Sequence, residues 1–317
     1  MTEPKLNIVI HAEEEFDWDG GFYRSNTEVT HHDNLIDFIH EIIHCGGTVT
    51  LAMDYPFVTS QGGKKVINEF KGYAGECIEF ASHLHPWVTP PFEDDCDRIS
   101  DHFSFPCNLT KKMEYEKLKR LTDSIEDETG IRPITYLAGR YGIGENTTEV
   151  LKSLGYKVDL SISAYTNFSH AKGPDFSQYT CKPHISNDIY YIPHTCSVVA
   201  SSKVFEDHLN SNPEHFRVFN ENRALRLLSK PFGVKKYRLS PEGFTLKHMI
   251  AATENQLRIG QSEFILSFHS PSVKIGLTPY VHSEKELSTF KSSVLDYIKW
   301  FETISNSSNF LPMRMIS

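Results

Sequence analysis

The chain has 317 residues, 39% hydrophobic, 12% aromatic and 23% charged, with a net charge of −9. Length and composition suit one globular α/β domain spanning residues 1–317 with a full core. The acidic balance excludes the basic stripe of a nucleic-acid groove, and no apolar run approaches the roughly 20 residues that a bilayer span needs.

The start, "MTEPKLNIVIHAEEE", has no basic stretch followed by an apolar one, so a cytoplasmic protein is expected. "KLNIVIH" reads as a strand. It runs into "HAEEEFDW", where Glu13, Glu14 and Glu15 stand side by side after His11. "DNLIDFIHEIIHCGG" reads as an amphipathic helix with Asp33 as N-cap and Gly46 as its stop. "TVTLAMDYP" is a strand, "KKVINEFKGYAG" a short helix and "CIEFASHLHP" a strand. "KKMEYEKLKRLTDSIEDETG" is a long helix, with Leu118, Leu121 and Ile125 on one face and Gly130 at its end. Then come the strand "ITYLAG", the helix "NTTEVLKSLG" and the strand "YKVDLSIS". Residues 173–220 read as loops shaping a pocket. The chain closes with the helix "LKHMIAATENQLRIG", the strand "SEFILSFH" and the helix "EKELSTFKSSVLDYIKWFETI".

Strands alternating with helices of this length mean βαβ units and a parallel sheet, closed as a barrel or open. In such folds sites assemble at the carboxyl ends of the strands. That filter selects His11, Glu13 and Glu14 after the first strand, and His83 and His85 after the third. It also selects Arg140 and Tyr141, Asp159 in the fifth strand, and His269 at the end of "SEFILSFH". A carboxylate with two imidazoles is a ligand set for a catalytic divalent ion. His83 and His85, two apart on an extended segment, point to one side. Sixteen histidines make chance pairs common, so the pair alone decides nothing.

Two motifs compete. "HEIIH", His40 to His44, matches the zinc-peptidase pattern H-E-x-x-H. That pattern needs both histidines on the face toward the site. Here Leu35, Ile36, Ile39, Ile42 and Ile43 make the apolar face, which leaves His40 and His44 on the solvated side. "GRYGIG" lacks the dinucleotide spacing of glycines. The six cysteines are scattered, without a CxxC pair, and read as reduced thiols.

"HAEEEFDW", "ASHLHPWVTPPFE", "LAGRYGIG", "KGPDF" and "LSFHSPSVKIGLTPYV" together resemble the polysaccharide deacetylases of the NodB-like superfamily, carbohydrate esterase family four. They look most similar to its WalW-type branch, associated with exopolysaccharide genes. The resemblance runs in order from Ile8 to Val281. It implies a distorted (β/α)7-type barrel and a divalent metal, usually zinc, used to hydrolyse acetyl groups on sugars. It implies Glu13, His83 and His85 as metal ligands, although the more usual histidine spacing in the family is H-x-x-x-H. It implies His269 as general acid, and an acetylated sugar or oligosaccharide as substrate. Trp18, Trp87, Arg140 and Tyr141 are candidate sugar contacts, the aromatics as a stacking wall.

Two positions depart from the pattern. The base aspartate is replaced by His11, and the arginine that pairs with it by Leu137. Losing one half of a buried pair would strand a charge at a cost of roughly 3–5 kcal/mol, whereas losing both leaves a neutral site. His11 is then expected as a general base, working near its ordinary pKa of roughly 6.5. A ligand role for it, or a lapsed enzyme that binds sugar without cutting it, is the alternative.

Overall fold

The computed structural model describes residues 3–222, 233–305 and 310–316. Its strands are β1 (Lys5–Ala12), β2 (Phe22–Tyr23), β3 (Val49–Met53), β4 (Ile78–Leu84), β5 (Arg98–Ile99), β6 (Thr135–Ala138), β7 (Val158–Asp159), β8 (His184–Ser186), β9 (Ile189–Tyr191), β10 (Cys196–Val199), β11 (Lys235–Arg238) and β12 (Glu263–His269). The main sheet runs β12-β1-β3-β4-β6-β7-β9-β8. Its pairings are parallel except β8 with β9.

This is a curled α/β half-barrel of seven parallel strands, as the sequence implied. The gap between β9 and β12 is crossed by irregular backbone. Leu239 N donates to Thr195 O and Ser267 N to Leu239 O. These single bonds across a missing ladder are the distortion of the barrel.

The buried strands are near-continuous apolar runs, as expected of strands covered on both faces. One core extends from Leu6 to Phe310, and a smaller cluster joins Tyr165, Cys181, Cys196 and Leu209. The helix Lys111–Thr129 buries Leu118, Leu121 and Ile125 and ends on left-handed Gly130. The helix His32–His44 buries Leu35, Phe38, Ile39 and Ile42 and is capped by His31, two residues before the expected cap Asp33. Asp33 instead lies in the first turn, where a carboxylate favours the positive end of the helix dipole.

The span expected to be loops contains β8, β9, β10 and the helices Lys203–Ser211 and Pro213–Glu221. The two helices are short and polar on average and bury Leu209 and Phe216 in the smaller cluster, while β9 packs on the main core through Ile189 and Tyr191. All six cysteines are free. Among the described residues no helix is long and apolar enough to cross a membrane.

Candidate metal and catalytic site

Parallel register brings distant residues together at the carboxyl ends of the strands. β1 sets His11 opposite His269 on β12, and β4 sets His83 opposite Leu137 on β6. The rings of His11 and His269 are accordingly 4.6 Å apart, and those of His11 and His83 4.9 Å.

The three glutamates have three separate fates. Glu13 is 1% exposed, and its Oε2 lies 3.6 Å from Nε2 of both His83 and His85. Its Oε1 is buried with no hydrogen-bond partner. Glu14 accepts from Trp87 Nε1 at 2.7 Å and faces His85 Nδ1 at 2.8 Å. Glu15 turns outward to accept from Thr30 and His31, and these bonds outweigh its burial and hold its carboxyl at about 2.

Tautomers follow from the partners. His83 Nδ1 faces the Leu137 carbonyl at 3.0 Å, so Nδ1 donates and Nε2 is a bare lone pair. His85 Nδ1 faces Glu14, with Asp54 3.4 Å away. Burial, then the charge of Glu13, raises Glu14 to about 7, and burial and the charge of Glu14 raise Asp54 well above the usual carboxylate range, so a shared proton leaves this pair one negative charge. That charge accepts from His85 Nδ1, which bares its Nε2 as well. The two Nε2 atoms stand 3.0 Å apart. Two lone pairs at that distance repel, and a shared cation removes the repulsion; zinc–imidazole bonds of about 2.0–2.1 Å reach both. The donor set therefore fits a divalent ion held by Glu13, His83 and His85. Glu14, Asp54 and Trp87 fix the His85 ring from behind, as outer partners of metal-bound histidines do. His11 also lies close enough to Glu13 and His83 to complete a ligand group with them.

His269 Nδ1 pairs with Glu242 Oε2 at 2.8 Å, and its backbone N–H donates to Glu242 Oε1 at 3.0 Å. Burial pulls the imidazole down, but the carboxylates of Glu242 and Glu13 prevail and raise it to about 9. His11 behaves oppositely. Burial, then His269, His83, His194 and Arg238, push it well below the ordinary histidine value, and its Nε2 has no partner. Burial raises Glu13 to about 7.

The sugar contacts expected from the sequence divide. Trp18 is half-buried at the mouth, edge-on to His269 at 4.9 Å. Tyr141 edges His11 at 6.0 Å and has a left-handed backbone, as does Arg140. Trp87 is 1% exposed and stacked on His85 at 4.1 Å, so it supports a ligand rather than an open wall. Arg140 spends its guanidinium between Phe105 at 4.0 Å and Phe22 at 4.6 Å, and it donates to Ser104. These contacts turn it to packing. Asp159 stays out of the site, its Oδ1 accepting from Ser161 N at 2.6 Å. His40 pairs with Glu69 at 2.8 Å on the surface and His44 is exposed, so "HEIIH" assembles no peptidase centre.

Sequence reasoning missed Asp54, His194, Glu242 and Arg238. Asp54 follows a strand that the sequence showed and fell within the same filter, whereas His194 follows β9, inside the span read as loops. Glu242 lies in a loop and carries no local signal.

No family model and no curated protein matches this sequence. Solved structures do. A structure from Mycobacterium smegmatis named as a polysaccharide deacetylase is 10% identical with a TM-score of 0.53, covering 99% of this chain and 90% of that one. One from Pseudomonas aeruginosa PAO1, also named as a polysaccharide deacetylase, is 12% identical with a TM-score of 0.51, covering 98% and 89%. A 4-alpha-glucanotransferase from Thermococcus litoralis is 9% identical with a TM-score of 0.54, covering all of this chain and 40% of that one. Since one barrel serves both names, the likeness shows the fold alone, and the chemistry must be argued from the side chains.

Proposed function

We propose that this protein is a metal-dependent hydrolase that removes an acetyl or related acyl group from an amino sugar or polysaccharide precursor. The observation that carries the reading is the pair of bare Nε2 atoms on His83 and His85, 3.0 Å apart and each 3.6 Å from Glu13 Oε2. The fold shared with polysaccharide deacetylases supports it.

Glu13, His83 and His85 would hold the ion, with zinc fitting the N and O donors. When bound, a divalent ion supplies Lewis acidity for the acyl oxygen and lowers the pKa of water. His11, kept neutral by burial and its cationic neighbours, has a free Nε2 to take the water's proton. His269, kept charged by Glu242, delivers a proton to the leaving nitrogen or oxygen. Backbone N–H groups around Gly139–Tyr141 would steady the developing oxyanion, a donor set worth about 3–4 kcal/mol. Trp18 offers a ring beside His269 for a sugar face.

The test pairs metal content with acetate release from an acetylated amino-sugar oligomer. Zinc or cobalt should support release and a chelator should stop it. Glu13→Ala and His269→Ala should each slow release by about 100-fold or more. Equal rates in those variants would overturn the assignment. Sugar binding without release, in a protein that takes up no metal, would favour the non-hydrolytic reading.

A further inference from the structure

Arg238 and Lys236 are two apart on β11, so they share one face of the strand. Both are half-buried and both are held by neutral oxygens. Arg238 donates from Nη1 to the Tyr141 hydroxyl at 2.9 Å and from Nη2 to Ser163 Oγ at 2.7 Å. Lys236 Nζ donates to Thr166 Oγ1 at 2.7 Å and to the Tyr165 carbonyl at 3.4 Å. Among the described residues neither cation has a carboxylate within ion-pair distance. The stretch just before β11, residues 223–232, contains Arg223, Arg226 and Lys230 but no Asp or Glu. Among the described side chains these two partly desolvated charges rest on neutral partners, with the Glu242 carboxylate acting on Arg238 only from beyond ion-pair distance, and an anion supplied by a ligand would offset their desolvation.

The same place is lined by unpaired polar atoms. His194 is 1% exposed with Nε2 unpartnered, its Nδ1 on Ser267 Oγ at 3.0 Å. Its ring meets Tyr141 at 5.1 Å and His11 at 5.7 Å, and the Arg238 guanidinium stands 5.0 Å over the Tyr141 ring. Because Arg238 donates to Tyr141, the phenol keeps its own proton to give. Tyr141 therefore joins Arg238 to His194, and the rings of both Tyr141 and His194 border His11.

We propose that this face of β11 is an anion site that takes a carboxylate carried by the acylated sugar, with Arg238 as its principal contact and Lys236 as a second charge. With one N–H on each Nη committed to a hydroxyl, the remaining planar edge of the guanidinium matches a planar carboxylate. Tyr141, which accepts from Arg238, also meets the His11 ring, so an acid held by Arg238 would lie on the His11 side of the site. The inference rests on the hydrolase reading for the identity of the ligand as a sugar.

The experiment measures binding to the zinc-supplemented protein by thermal shift over a concentration series, with acetate release followed in parallel. The probes are N-acetylglucosamine, N-acetylmuramic acid and N-acetylglucosamine 6-phosphate at matched ionic strength. The carboxylate probe should bind at least about 10-fold more tightly than the neutral sugar, as a charge-assisted bidentate contact allows. Arg238→Gln should erase that preference, while Arg238→Lys should retain part of it. Equal affinity for the acid and neutral probes, a stronger hold on the phosphate ester, or a preference surviving in Arg238→Gln would each overturn the proposal. If Arg238→Gln does not fold, the ratio in the parent protein decides. Acetate release without acid preference sinks this inference alone; acid preference without acetate release sinks the hydrolase reading alone.

Discussion

At the amino ends of the strands, Asn7 Nδ2 donates to Phe310 O at 2.9 Å and Thr50 Oγ1 donates to Asn7 Oδ1 at 2.9 Å. Thr48 Oγ1 also bonds Phe310 O, and Glu79 accepts from Thr135 and from Met313 N. At the carboxyl ends, side chains just as buried leave His11 Nε2, His194 Nε2 and Glu13 Oε1 without partners. Burial is therefore shared by the two ends, and satisfaction separates them. Buried polar groups are normally paired, so the closed network reads as structure and the open one as a place for something else to bind. Exposure alone would have ranked Asn7 and Glu13 together.

Three measurements bear on that contrast, the largest effect first. Burial raises Glu79 to about 7, above its unfolded value of 4.5. The folded state therefore binds more protons in that window, and stability is greatest below about 4.5 and is lost as pH rises through about 7. At 1.36 kcal/mol per pKa unit the loss approaches about 3 kcal/mol. Glu79→Gln should remove this component. Denaturant melts of parent and variant should differ most near pH 8 and converge near pH 4, and a difference that does not vary with pH would reject the assignment.

Next, Asn7→Ala should lower folding stability by about 2 kcal/mol, since it orphans buried partners, yet leave metal uptake per folded molecule unchanged. Glu13→Ala should do the reverse, losing metal uptake while the melting temperature in chelator holds or rises. If the two variants behave alike, the division between the ends fails. The smallest effect belongs to His40→Ala, which should change stability by less than about 0.5 kcal/mol and metal content not at all. Loss of zinc there would revive the peptidase motif.

Strand and helix order was readable because apolar runs and periodic faces are local properties. The helix at Lys111–Thr129 and its stop at Gly130 fell where the pattern put them. The middle of the chain was not readable. Its helices Lys203–Ser211 and Pro213–Glu221 are polar and short, and they are held by a small cluster assembled from Tyr165 to Phe216. The first glutamate and the two histidines stood out because each follows a strand. Their tautomers could not be read, because those depend on a carbonyl at Leu137 and a carboxylate pair at Glu14 and Asp54.

By itself the alternation of strands and helices determined a parallel α/β sheet and gathered acids and imidazoles at one rim, because alternation and strand-end placement are written in neighbouring residues; closure into a barrel was implied only by the family resemblance. Only the tertiary structure decided which glutamate faces both His83 and His85, that Trp87 and Arg140 pack instead of facing the mouth, and that Arg238 donates to Tyr141. The reason is physical: hydrogen-bond satisfaction and charge balance are sums over neighbours in space, and here those neighbours lie from 27 to 257 positions apart in the chain.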